Sequence, residues 1–203
     1  MVKIFLKLPL FVVFLTTSSI LKADPYSLAN ISQYLQNLKI LKADFLQTNP
    51  DYTISSGTIL IKRPGRMRFE YNKPDKTLVL VSAGALAIFD PKGDEKPITY
   101  PIKNNPISLI LKGEVDLLNS GIVAKYKSSS EKAVLTIRDP KKPQRGSVEL
   151  VFVGTKPELE KFTIKNENGS STSISLKDIK YPKKLNETLF SIALETSKRR
   201  RKD

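Results

Sequence analysis

A chain with neither cysteine nor histidine has few reactions open to it, and this sequence contains neither. Without thiols there are no disulfides, no thiolate nucleophile, no Cys-bound zinc and no lipid-modified N-terminal cysteine. Without imidazole there is no Ser-His-Asp catalysis, and both the usual base near neutral pH and the commonest metal ligand are missing. Carboxylate pairs remain open, but the 20 Asp and Glu residues form no motif. What stands out is cationic. The stretch GTILIKRPGRMRFEYNKP, residues 57–74, sets three arginines among Ile, Met, Phe and Tyr. A guanidinium is a planar fork of donors in search of acceptors. By strand alternation Arg66 and Arg68 face away from Met67, Phe69 and Tyr71, which places them on a solvated outer face. Arg63 instead shares the parity of Ile59 and Ile61, and Pro64 turns the chain directly after it. Alternation leaves two readings open: a solvated arginine at a strand end, or a cation that holds buried acceptors.

The elements that must position these residues are mostly strands. Leu28, Ile31, Leu35 and Leu38 recur at helical spacing after Pro25, which predicts one helix over residues 26–38. From LKADFLQT onward the period falls to two. Eleven short segments rich in Val, Ile, Thr, Phe and Tyr follow, bounded by Gly, Pro, Asn or Asp. RPG, DPKG and ENGS mark turns, the last a hairpin. Such a series predicts a meandering antiparallel sheet, and a sheet that long must curl into a barrel or half-barrel. One segment interrupts it. NNPISLILKGEVDLLNSG offers Asn105 as a cap, Pro106 at a first helical position and Gly113 as a stop, with a second helical piece over 115–118. The predicted fold is mainly β with short helices: a curled antiparallel half-barrel of about eleven strands, covered by a lid of two or three short α-helices. The apolar inner face is either an ordinary filled core or a cavity for an apolar ligand, and periodicity does not separate the two.

At 203 residues, 40% hydrophobic, the chain suits a single domain, here read over 24–196. Residues 1–23 read as a cleaved signal peptide: Lys3 and Lys7, then an apolar run from Leu8 to Ile20, then Ala23. The alternative, a membrane anchor, needs about 20 apolar residues, more than the run supplies. An exported chain free of cysteine fits the periplasm. The net charge of +14 brings nucleic acid to mind, but export and the even spread of lysines argue against it. Anionic membrane surfaces are a better match, and a lysine-rich solvated surface is an equally open reading. The tail SKRRRKD, residues 197–203, is read as a basic, disordered segment, with contact to lipid head groups as the lesser alternative.

In order and spacing, ADFLQT, GTILIKRPGRMRFEYNKP, VLVSAGALAIFDP and NNPISLIL resemble the LolA family of periplasmic lipoprotein carriers. The matching features are Phe45 with Gln47, Lys62-Arg63-Pro64 leading to Phe69 and Tyr71, Ser82 with Gly84, Phe89-Asp90-Pro91, and the Pro106-led apolar segment. The chain departs from the family at Met67, where an aromatic is common, and at Phe69, where tryptophan is common. The resemblance implies a carrier and not an enzyme, without a cofactor. It would act as a monomeric chaperone that takes acylated lipoproteins from an inner-membrane ABC transporter to an outer-membrane receptor or to the outer membrane itself. It implies that Arg63 latches the lid through helix carbonyls. It further implies an acyl-chain cavity lined by Leu35, Ile59, Ile61, Met67, Phe69, Leu80, Ile107, Ile110 and Leu111. An alternative within the same resemblance is an envelope stress sensor that binds a signalling protein.

Overall fold

Residues 25–93 and 96–200 are described by a computed structural model, so the expected signal peptide lies outside the described residues. Helix α1 (Leu28–Asn37) opens them, capped by the Ser27 hydroxyl, which accepts from the Asn30 amide at 3.2 Å. Eleven strands follow: β1 (Ile40–Thr48), β2 (Ile54–Lys62), β3 (Arg66–Tyr71), β4 (Leu78–Ser82), β5 (Ala85–Phe89), β6 (Ile98–Pro101), β7 (Val123–Ser128), β8 (Lys132–Ile137), β9 (Gly146–Val153), β10 (Glu158–Asn166) and β11 (Ser171–Lys180). Helix α2 (Ile192–Arg200) closes the chain.

All eleven strands form one open antiparallel sheet, but it is not a simple meander. The order is β6-β5-β4-β3-β2-β1-β11-β10-β9-β8-β7. The first strand sits centrally and pairs with both β2 and β11. The break falls between β6 and β7, at the point where residues 102–122 cross from one edge to the other. Side chains from both flanks, such as Val81 of β4 and Ala133 of β8, share one buried cluster with this crossing. A flat sheet could not bring them together, so the sheet is curled around its core.

The crossing is the lid, but not an α-helical one. Asn105 caps as expected, its side chain accepting from the Ile107 amide at 3.0 Å. The turn that follows, Pro106–Leu109, is a 3-10 helix, and residues 115–118 contain a turn around Asp116 instead of a helix. Gly113 lies too soon after Pro106 for α-helix propagation to outweigh its nucleation cost. The lid therefore consists of α1 and an irregular apolar strap. Ile31 and Leu35 of α1 and Ile107, Leu109, Ile110 and Leu111 of the strap are all buried in the main cluster.

The C-terminal segment also differs from expectation. Residues up to Arg200 are helical, because α2 has something to cover on the convex face. Leu78, Leu80, Ala87 and Phe89 form a second cluster there, with Ile192 packed on it. The Arg199 guanidinium lies 4.9 Å from the Phe89 ring centre and pairs with Glu195 one turn earlier.

Candidate functional site

Arg63 closes β2 at the rim of the curled sheet. Its amide donates to the Lys39 carbonyl at 2.8 Å, and the chain turns at the cis Arg63–Pro64 peptide and Gly65. Gly65 takes φ +71°, a region that favours glycine, and its amide donates to the Leu111 carbonyl at 2.8 Å. The guanidinium points inward and is only 6% exposed. Nε donates to the Lys112 carbonyl at 2.7 Å and Nη2 to the Gly113 carbonyl at 3.3 Å. Nη1 donates to the Leu38 carbonyl at 3.1 Å and also to that of Leu35. The last carbonyls of a helix have no partner within it. Arg63 therefore satisfies the free end of α1 and the far end of the strap at once, joining the two halves of the lid. Among the described residues no carboxylate pairs with it. Burial lowers the Arg63 pKa, yet a guanidinium stays charged in proteins, so this junction holds a buried cation on neutral carbonyls.

Beneath this junction lies an apolar floor. Across the register Ile59 faces Phe69 and Phe69 faces Val79; Ile61 faces Met67 and Met67 faces Val81. Leu35, Ile107, Ile110 and Leu111 meet this floor from the lid side within the same cluster. At one end, Phe45 packs edge-on against Phe69 and Tyr71, with ring centres 5.2 and 5.1 Å apart. The Tyr71 hydroxyl donates to Gln47 Oε1 at 2.8 Å, while burial pushes its pKa up to about 12. The lid side chains occupy the concavity themselves. An open groove of about 730 Å³ lies elsewhere, beside the C-terminal end of α1, and is lined by Tyr34, Leu38, Pro157 and Tyr181 among others.

Two expected placements are corrected. Leu80 does not line this floor: it pairs with Arg68 across the ladder, so it projects from the convex face into the cluster under α2. Both parities of TLVLV are apolar, so alternation alone could not choose its face. Arg68 in turn does not simply solvate the outer face. Its Nη1 donates to the Leu189 carbonyl at 2.8 Å, and its side chain pairs with Glu70 and reaches Glu195 at 4.0 Å, fastening the C-terminal segment. Arg66, by contrast, is half-exposed and pairs with Glu187 at 3.1 Å. Leu80→Ala is accordingly expected to lower stability by about 2–4 kcal/mol without changing acyl-probe affinity. Urea unfolding and probe titration of the same sample check this.

Sequence reasoning also missed two tyrosines that anchor α1, one before its first turn and one in its last. Tyr26 is 1% exposed, and its hydroxyl reaches the Glu131 and Gly154 carbonyls, each at 2.6 Å. The Tyr34 hydroxyl accepts from the Leu159 amide at 3.3 Å and contacts the Tyr181 hydroxyl at 3.1 Å. A buried tyrosine keeps its hydroxyl paired, and that was the available signal. Among the described residues no cluster of His, Cys, Asp or Glu could hold a metal ion, and no helix is long and apolar enough to cross a membrane.

A curled sheet with an apolar floor, closed by a strap and a helix that share one arginine, defines a lidded half-barrel. The family described as outer membrane lipoprotein carrier protein LolA matches residues 36–193, and the chain belongs to it. Similar proteins include an outer-membrane lipoprotein carrier protein of Coxiella burnetii, 27% identical over 183 residues and 85% of each chain. One from Methylococcus capsulatus is 22% identical over 181 residues, covering 85% of this chain and 86% of its own. Among solved structures, a LolA superfamily protein from Nitrosomonas europaea aligns over 80% of this chain and 96% of its own, at 12% identity and TM-score 0.42. The Pseudomonas aeruginosa MucA/MucB complex contains a chain that aligns over 82% of this one and 60% of its own, at 15% identity and TM-score 0.44.

Proposed function

We propose that this protein is a periplasmic carrier that shelters the acyl chains of lipoproteins between its sheet and its lid. It would take them from an inner-membrane ABC transporter to the outer membrane, directly or through a receptor, acting as a monomer and without catalysis. The observation that carries this reading is Arg63, a buried cation whose acceptors among the described residues are carbonyls of two separate lid pieces over an apolar floor. An ordinary core needs no such device. A lid that must both close and part does.

The magnitudes are consistent with two states. Four buried lid side chains, Ile107, Leu109, Ile110 and Leu111, contribute about 1.5–3 kcal/mol each to closure, as an upper bound. One acyl chain of about fourteen methylenes, at about 0.8 kcal/mol per methylene, is worth roughly 11 kcal/mol. Cargo can thus replace the lid side chains against the floor without a large net change, and that balance lets the same protein load and unload. Met67, where the family often has an aromatic, gives this wall an adaptable surface.

The test is a fluorescent hexadecanoyl probe titrated into the exported protein. Binding at micromolar affinity or tighter, reversed by an acylated lipoprotein, is the expected result. Absence of binding would refute the carrier reading.

A further inference from the structure

The apolar floor does not end where the lid ends. Its two cross-strand rows continue from Val79 through Ile88 to Ile98, and from Val81 through Leu86 to Tyr100. Exposure rises along both. Val81 is buried, Leu86 and Ile88 are half-buried, and Ile98 and Tyr100 on the edge strand are 58% and 54% exposed. Water-facing residues on a sheet edge are ordinarily charged or polar. Here a two-lane apolar surface leads from beneath the lid to open solvent, at the break between β6 and β7.

Cations border its outer end. Lys103 lies two residues past the end of β6, and Arg145 Nη1 donates to the Lys103 carbonyl at 3.2 Å, which brings the turn bearing Lys141 and Lys142 alongside. The acid in that turn, Asp139, accepts from the Lys141 amide at 2.9 Å. Among the described residues none of these four cations forms an ion pair.

We propose that this corner is where the protein contacts an anionic lipid bilayer. Ile98 and Tyr100 enter the head-group layer, and Lys103, Lys141, Lys142 and Arg145 lie on lipid phosphates. The chemistry favours a bilayer. Tyrosine with an aliphatic neighbour, flanked by cations, suits a surface that is apolar inside and anionic outside. Ile98 and Tyr100 stand on the outermost strand of the sheet, and the pocket beside them, lined by Lys103, Asp139 and Arg145, holds only about 20 Å³, too little for a peptide side chain. Each cation near an anionic surface strengthens association about fivefold, in a salt-dependent way. The contact itself is independent of the carrier reading. What would travel along the two rows, an acyl chain passing between floor and bilayer, rests on it.

The chain contains no tryptophan, so Tyr100→Trp supplies a single reporter. With phosphatidylcholine vesicles containing about 30 mol% phosphatidylglycerol, its emission is expected to shift to the blue. Leu194→Trp, at an exposed leucine of α2, should stay unshifted. The pair Ile98→Ser and Tyr100→Ser should weaken vesicle co-sedimentation about tenfold, and the pair Lys141→Glu and Lys142→Glu at least twentyfold. Hexadecanoyl-probe affinity, measured without vesicles, should be unchanged in the lysine pair. An unshifted Tyr100→Trp with intact probe binding overturns this inference and leaves the carrier reading standing. Lysine-dependent capture of polyglutamate with vesicles ignored also overturns it, in favour of an acidic protein partner. Loss of probe binding in the wild type, with vesicle association intact, supports the bilayer contact and refutes the carrier reading alone.

Discussion

Arg63→Leu is expected to free the lid while the sheet stays folded. Leucine keeps the apolar bulk but offers no donor, so the carbonyls of Leu35, Leu38, Lys112 and Gly113 lose theirs together. A buried carbonyl without a partner costs about 1–3 kcal/mol. Lys112 is exposed and Gly113 half-buried, so water compensates there. A net loss near 3 kcal/mol remains for the closed state, more than a hundredfold in its population. The strand ladders do not involve the guanidinium, and the backbone bond from Gly65 to Leu111 persists. Hydrogen exchange is therefore expected to quicken about a hundredfold over residues 107–113 and to remain slow in β8, β9 and β10. Lipoprotein transfer should change in parallel. Arg63→Lys should fall between, since one ammonium cannot serve both lid pieces. Wild-type exchange in the strap of Arg63→Leu would remove the latch from the mechanism. A uniform rise over the whole sheet would make Arg63 a structural residue only.

The second large effect is expected at Gly57, in the middle of β2. A Cβ there would lie 2.0 Å from the Glu70 carbonyl oxygen and 2.8 Å from a ring carbon of Phe45. The ring could move. The oxygen belongs to the backbone of β3 and cannot, so alanine must push the two strands apart. Gly57→Ala should cost about 3 kcal/mol or more, and Gly57→Val should fail to fold. The urea midpoint decides it: a Gly57→Ala protein as stable as the wild type would mean that β2 and β3 do not approach so closely. The same approach lets Phe45 pack against Phe69 and Tyr71, so any soluble variant should also bind the hexadecanoyl probe more weakly.

Much of this architecture was legible in the sequence, for a physical reason. Strands write their β-branched and aromatic content and their turn boundaries directly into the chain, and all eleven appear where these placed them. The pairing order was not legible. Turn chemistry specifies neighbours along the chain, but nothing local records that β1 pairs with β11, or that the break falls where the strap crosses. The Leu80 error has a similar origin, since TLVLV is apolar on both parities and only the partner strand settles its face. The basic tail was misread because charge was weighed without period: Ile192, Glu195 and Arg199 recur on one side of α2, and that side packs. Arg63 was visible by type and position. Its acceptors were not, because they lie 25 to 50 residues away along the chain.

The central place of β1 has a consequence for how the molecule is made. A growing chain emerges with its N-terminal end first, and β1 soon finds β2. Its other edge must wait for β11, more than a hundred residues later. Until then the chain holds two incomplete meanders, each with an unpaired inner edge, and with Leu41 and Phe45 of the first lacking the cover they have in the finished core. Such pairing is slow, and such edges invite association with other chains. Deleting the ten residues of β11 would keep that edge permanently open, so their loss should be far more damaging than losing the same number from a surface loop.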